Sequence, residues 1–124
     1  MIHDEICTYE VCKLAKEKGF DWICPHYFRT KNKDLFRVFP CEDWSDIEDR
    51  INAPTQSLLQ RWLREEKKWN IVVRMYENEG YYWFIQNSKG KLQESYFTYA
   101  DEMFATYELA LDDALKYALE NLVI

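Results

Sequence analysis

The chain has 124 residues, a length that suits a single domain with one hydrophobic core. Hydrophobic residues make up 48% of it and charged residues 31%, as in ordinary globular proteins, and three Gly and three Pro argue against long disordered linkers. The net charge of −6 at pH 7 disfavours nucleic-acid binding by the whole surface, because phosphates repel it. We therefore expect one globular domain over residues 1–124.

The first residues and the cysteines favour a cytoplasmic protein. Acidic residues stand near the N-terminus, where a signal peptide needs bases, and no segment approaches the roughly 20 apolar residues of a membrane span. Thiols stay reduced in the cytoplasm, so we expect free thiols rather than disulfides. The cysteines are Cys7, Cys12, Cys24 and Cys41.

The first predicted element is a helix over residues 8–18. Thr8 suits the N-cap position, because its side-chain oxygen accepts a hydrogen bond from an amide that has no partner inside the helix. Gly19 suits the left-handed position that follows a helix, and Phe20 is placed to fold back as its hydrophobic contact. The pattern thus predicts both ends of this helix.

A hairpin and a connector are predicted next. Residues 21–40 contain two short aromatic runs on either side of a turn at 31–34, which favours a hairpin. Residues 41–50 form the connector, in which Ser45 and Glu48 have the spacing of a capping box and predict one helical turn.

The second helix is predicted over residues 55–67. It begins at Pro54 or Thr55, since a proline is tolerated where the amide has no helical partner. Its apolar face consists of Leu58, Leu59, Trp62 and Leu63.

A second hairpin is predicted over residues 70–86. Gly80 stands third in a three-residue loop that pairs Glu77 with Tyr81, and this pairing sorts the strand residues into two faces. We assign one face to the core: Ile71, Val73, Met75, Tyr81, Trp83 and Ile85. The other face carries Val72, Arg74, Tyr76, Tyr82, Phe84 and Gln86.

A third antiparallel strand at 92–97 and a helix at 106–122 complete the prediction. Thr106 caps this helix, its buried stripe is Leu111, Leu115, Ala118 and Leu122, and we expect Asp112 and Asp113 to be solvated. The predicted class is α+β, with a small antiparallel sheet of three to five strands packed against about three helices.

The arrangement of cysteines, histidines and glycines favours no enzyme, so we predict no catalytic residue, no metal and no cofactor. The cysteines lack the CxxC pairs of structural zinc sites, and buried free thiols are the favoured reading. Cys24 and His26 are a conceivable dyad, but no third group orients them, and a surface histidine is favoured. His3 stands at the chain terminus.

The second face of the hairpin is the predicted binding surface, at Arg74, Tyr76, Tyr82 and Phe84. In the predicted register Tyr76 opposes Tyr82 and Arg74 opposes Phe84, which gives the mixed aromatic and cationic character of contact sites. The alternative is that the first helix or residues 27–39 cover this face.

The segment 27–37 is the predicted alternative surface, for nucleic acid. Its aromatic residues can stack on bases while its cations follow phosphates, the cations being Arg29, Lys31, Lys33 and Arg37. A basic hairpin turn flanked by core aromatics produces the same string, so that interpretation stays open.

Three strings are similar to a known group of sequences: KEKGFD, APTQSLLQRWLRE before an IVV strand, and ATYELALDDALKYALENLV. In these the chain resembles short uncharacterised proteins encoded in prophages and mobile elements of gut anaerobic bacteria. The resemblance implies a mobile-element origin and a cytoplasmic setting, and it brings no catalytic motif. We expect a non-enzymatic interaction or accessory domain that binds a protein partner or a second copy of itself, with a nucleic-acid-binding accessory protein as the alternative.

Overall fold

The computed structural model describes residues 5–87, 92–94 and 103–123. Within these ranges the chain has the α+β class that the sequence predicts. The elements in order are α1 (Tyr9–Glu17), β1 (Cys24–Arg29), β2 (Leu35–Glu42), β3 (Arg50–Asn52), α2 (Gln56–Glu66), β4 (Trp69–Tyr76), β5 (Gly80–Asn87), β6 (Leu92–Glu94) and α3 (Tyr107–Asn121).

Each helix begins after a threonine whose side chain caps it. The Oγ1 atoms of Thr8, Thr55 and Thr106 accept hydrogen bonds from backbone amides three residues later, at 3.4, 3.2 and 3.1 Å. Each bond satisfies one amide that the helix itself leaves without a partner. The predicted caps Thr8 and Thr106 are therefore confirmed, and α2 begins at Gln56, one residue after Thr55, whereas the predicted start is Pro54 or Thr55.

The predicted ending of α1 is also confirmed. Gly19 has φ +93°, and its amide donates to the carbonyl of Lys16 at 3.1 Å. The amide of Phe20 donates to the carbonyl of Ala15 at 2.9 Å, and the Phe20 ring is buried. These two bonds define a Schellman motif.

Within the described residues the strands form two three-stranded antiparallel sheets, where the sequence predicts one. The first sheet has the order β2-β1-β3 and the second the order β4-β5-β6. The predicted hairpin in 21–40 is confirmed as β1 and β2. The third predicted strand is confirmed over β6, whereas residues 95–97 lie outside the described residues.

The connector between β2 and β3 does not form the predicted helical turn at Ser45. The Asp43 carboxylate accepts hydrogen bonds from the Ser45 amide at 2.9 Å and from its hydroxyl at 3.0 Å. Such a local bond offers the backbone an alternative to a helix. The buried Asn52 then accepts a bond from the Trp44 amide at 2.7 Å and donates to Asp43 at 2.8 Å, which fixes Trp44 inside the protein.

The register of the β4–β5 hairpin differs from the prediction by two residues. Tyr76 pairs with Gly80, so the loop consists of residues 77–79. Glu77 and Asn78 both have positive φ, as in type I′ hairpin turns, and Gly80 is instead the first residue of β5. Because the shift is an even number, every side chain keeps its predicted face.

One apolar core contains residues from all three helices and from both sheets. Its larger members are Val11, Phe20, Tyr27, Trp44, Ile51, Leu59, Trp62, Leu63, Ile71, Trp83, Ile85, Leu111, Leu115 and Leu119. Met75 departs from its predicted core position, since 57% of it is exposed at the turn end of the hairpin. Within the described ranges, no helix is both long enough and apolar enough to cross a membrane.

Asp112 and Asp113 are half-buried, whereas the sequence predicts solvated side chains. Asp112 Oδ1 accepts a hydrogen bond from Thr8 Oγ1 at 3.1 Å, and Asp113 Oδ2 accepts one from Trp83 Nε1 at 2.9 Å. These bonds connect α3 to the start of α1 and to the core face of β5.

Candidate functional site

The four residues of the predicted binding surface lie together on one face of the second sheet. We call Arg74, Tyr76, Tyr82 and Phe84 the aromatic ladder. The rings of Tyr76 and Tyr82 are 6.3 Å apart in an edge-to-face arrangement, and those of Tyr82 and Phe84 are 6.5 Å apart and stacked. The Arg74 guanidinium lies 5.2 Å from the centre of the Phe84 ring.

The predicted pairs within the ladder were wrong, although the contacts form. Arg74 pairs across the hairpin with Tyr82, and Tyr76 pairs with Gly80. The contacts from Arg74 to Phe84 and from Tyr76 to Tyr82 are therefore diagonal ones. Long and aromatic side chains reach such diagonal neighbours on a strand pair.

Helix α3 packs on the opposite face of the hairpin. Trp83 lies between the ladder residues Tyr82 and Phe84 in β5 and points to the opposite face. Its indole N–H donates a hydrogen bond to Asp113 of α3, and its ring centre lies 5.4 Å from that of Tyr117. At the outer strand, Gln60 of α2 donates to the carbonyl of Ile71 at 2.8 Å. The sequence left open whether α1 or residues 27–39 cover the ladder. In the described residues, α1 packs on β3 and α3, and residues 24–42 pair with each other and with β3.

Burial differs along the ladder. Phe84 is buried, with 8% of it exposed, and the two tyrosines are half-buried. Arg74 is exposed, and no carboxylate of the described residues lies within 4.0 Å of its guanidinium. The ladder thus combines a buried ring with an exposed cation that has no carboxylate partner among the described residues.

The four cations of the alternative surface surround the turn of the β1–β2 hairpin. We call Arg29, Lys31, Lys33 and Arg37 the basic hairpin. All four side chains are exposed, and among the described residues none has a carboxylate within 4.0 Å. The predicted turn is confirmed, with the Lys33 amide donating to the Arg29 carbonyl at 2.8 Å and Lys33 at φ +59°.

The cations of the basic hairpin do not share one face. The Arg29 guanidinium lies 5.3 Å from the Phe36 ring, whereas Arg37 pairs with His26 and projects to the other side of the sheet. Lys33 lies over the ring of Tyr9 in α1, at 5.1 Å. The charges therefore surround the end of the hairpin instead of following one strand.

An aromatic cluster behind the basic hairpin is a feature that sequence reasoning missed. Tyr27 lies against Phe36 and Trp44, with ring centres 5.5 and 4.9 Å apart, and the Arg50 guanidinium lies 4.5 Å from the Tyr27 ring. Tyr27 and Trp44 are buried, and Phe36 is 37% exposed. The available signal was the aromatic residues of the two strands, Tyr27 in β1 and Phe36 in β2, but Trp44 comes from the connector, which carries no strand pattern.

Three of the four cysteines are buried free thiols, and Cys41 is an exposed one. A hydrogen bond with Cys12, together with burial, raises the pKa of Cys7, and burial foremost raises the pKa of Cys24 to about 12. A thiol with so high a pKa is not a nucleophile near neutral pH.

The conceivable Cys24–His26 dyad is not assembled. The Cys24 thiol donates to the Trp22 carbonyl at 3.4 Å, and a register irregularity separates Cys24 from His26. His26 is half-buried, where the sequence favours a surface residue, and its Nδ1 has no hydrogen-bond partner among the described residues. Burial, followed by the charge of Arg37, lowers the pKa of His26.

No group of three or more His, Cys, Asp or Glu side chains in the described ranges is placed to hold a metal ion. Searches with protein-family models, among curated proteins and among solved structures find no match to this chain.

Proposed function

We propose that the chain is a non-enzymatic domain that binds a protein partner through the aromatic ladder. The observation that supports this most is the position of Arg74, which is exposed, has no ion pair with any described residue, and lies over the buried ring of Phe84. Arginine and tyrosine are among the residue types enriched at the hot spots of protein interfaces. The ring contacts hold these side chains in place before binding, which lowers the entropy lost on association.

We further propose that the protein comes from a mobile element and acts in the cytoplasm. The similarity of its helices to prophage-encoded proteins supports a mobile-element origin and a cytoplasmic location. The products of genes adjacent to this one are then the first candidate partners.

The proposal is tested by co-expressing the chain with the products of adjacent genes and measuring binding by isothermal titration calorimetry. Arg74→Ala is expected to weaken the complex by about tenfold or more, as for an interface hot spot. The control is Arg64→Ala, which removes an exposed arginine from α2 and should leave affinity unchanged. Equal affinity of both variants would contradict the proposal.

A second variant separates binding from folding. Tyr82→Ala should weaken the complex while far-ultraviolet circular dichroism remains that of the wild type. If Tyr82→Ala does not fold, the ladder is part of the core and is not a contact surface.

The basic hairpin supports a second candidate function, binding of single-stranded nucleic acid. The supporting observation is that its four cations have no carboxylate partner in the described residues, while the neighbouring Phe36 ring is accessible to a base. Binding of oligo(dT) is expected to show a log–log salt slope of about −3 if four phosphates are contacted. Replacing all four cations by Ala should abolish it. The matched control replaces four cations at the C-terminal half of α2 and just after it, and it should retain binding: Arg61, Arg64, Lys67 and Lys68. Absence of any binding of the wild type to oligo(dT) at low salt would exclude this candidate.

A further inference from the structure

A small pocket lies between the β4–β5 turn and the residues that lead into α3. Its volume is about 290 Å³, and its lining residues are Met75, Asn78, Glu79, Gly80, Tyr81 and Ala105. Met75 is 57% exposed there. Tyr81 pairs with Met75 across the hairpin and lies 6.2 Å from the ring of Tyr107, which is 39% exposed. The pocket and its rim thus present apolar surface to solvent.

The charge around this pocket is acidic. Glu79 lines it, and Glu77 stands in the same turn. Both side chains are exposed, and no cation of the described residues lies within 4.0 Å of their carboxylates. We call the pocket with these two residues the acidic pocket. It is suited to a ligand that carries apolar side chains between positive charges.

The basic hairpin has the complementary composition. Leu35 is 45% exposed and Phe36 is 37% exposed, and both stand between the cations at 33 and 37. One chain therefore carries two exposed apolar sites of opposite charge, and no described residue forms an ion pair with the charged side chains of either site. The two sites belong to different sheets.

We propose that the basic hairpin of one copy of this chain docks into the acidic pocket of a second copy. The apolar contact is between Leu35 or Phe36 and Met75, and Lys31 and Lys33 meet Glu77 and Glu79. None of the ladder residues takes part, so this association is independent of the proposed protein-binding function. Because the two surfaces differ, the contact is head-to-tail: the first copy retains an unused acidic pocket and the second copy an unused basic hairpin, so further copies can add. Exposed charges form much of the contact, so the association is weakened by salt.

Sedimentation velocity over a concentration series tests this proposal. The average mass of the wild type is expected to rise with concentration at about 50 mM salt and to return to that of a monomer at about 500 mM. The variants Lys31→Gln with Lys33→Gln, and Glu77→Gln with Glu79→Gln, should each weaken self-association by about tenfold or more. Replacing Arg61 and Arg64 of α2 by Gln is the control and should change nothing.

Mixing the two variants gives the sharpest outcome. The hairpin variant retains an intact acidic pocket and the pocket variant retains an intact basic hairpin, so their equimolar mixture should form 1:1 dimers that do not grow further. A wild type that stays monomeric at every concentration overturns the proposal, as do variants that associate like the wild type. If the hairpin variant loses oligo(dT) binding but associates normally, the hairpin serves nucleic acid and the proposal is likewise wrong.

Discussion

Asp112 shows how a single carboxylate can be both a structural partner and a cost to stability. Burial raises its pKa, the hydrogen bonds from Thr8 lower it, and the charges of Asp113 and Glu10 raise it again, with a net increase. Because the pKa is higher in the folded than in the unfolded state, protonation of Asp112 favours folding. This contribution to the free energy of unfolding is fully present below the ordinary pKa of 3.8. It is lost as the pH rises through the pKa of the folded protein.

Replacing Asp112 by Asn should therefore stabilise the protein at neutral pH. The amide cannot ionise, and its oxygen still accepts the hydrogen bond from Thr8. Urea unfolding should show a gain of less than about 1 kcal/mol at pH 7, because solvent screens a half-buried charge, and no gain at about pH 3. An equal gain at both pH values would mean that packing and not ionisation is the cause.

Residue-scale features were predictable where the partner is close in sequence. Thr8 was recognised as a cap because its backbone partner is three residues away. Its second bond, to Asp112, joins residues 104 positions apart, and no local pattern indicates such a contact. The same limit explains why Asp113 was expected in solvent and is found bonded to Trp83.

At the level of elements, the two glycines that have positive φ among the described residues, Gly19 and Gly80, can be compared directly. A Cβ on Gly19 would meet nothing within 4 Å, whereas a Cβ on Gly80 would lie 2.9 Å from the Phe104 carbonyl oxygen and 3.0 Å from the Met103 Cβ. Gly19→Ala should therefore cost only the backbone strain, about 1 kcal/mol of unfolding free energy.

Gly80→Ala should cost more, about 3 kcal/mol, because it adds a backbone clash to the strain of φ +141°. Urea denaturation of both variants measures the difference. Equal losses would show that the strand start at Gly80 can move away from Phe104.

The register of the second hairpin shows where element-scale prediction stops. The glycine was correctly recognised as special, but it was placed in the loop. In the structure Tyr81 exchanges two backbone hydrogen bonds of 2.9 Å with Phe104, and the glycine is needed beside that contact. The ladder residues were still gathered correctly, because a shift of two residues preserves the face of every strand side chain.

At the scale of the whole molecule, one core contains residues of two sheets, and the sequence pattern did not show that there are two. Period-two alternation identifies strands but does not show which strands share a sheet. Trp44 packs on the first sheet and Trp83 on the second, and both belong to the same apolar cluster. Helices α2 and α3 contact the second sheet, and α1 contacts both α3 and β3.

This shared core predicts a single cooperative unfolding transition. Tryptophan fluorescence reports on both sheets, and far-ultraviolet circular dichroism reports on the helices, so their urea curves should coincide. Two separated transitions would show that the sheets unfold independently.

At Lys33, the stability of the turn and the positive charge of the hairpin make opposite demands on the residue type. A lysine at φ +59° carries backbone strain of about 1 kcal/mol that a glycine would not carry. Selection of variants for heat resistance alone would therefore favour glycine there and remove a cation from the hairpin tip. If lysine is nevertheless kept at this position during evolution, the contact made by its positive charge outweighs the lower stability of the turn.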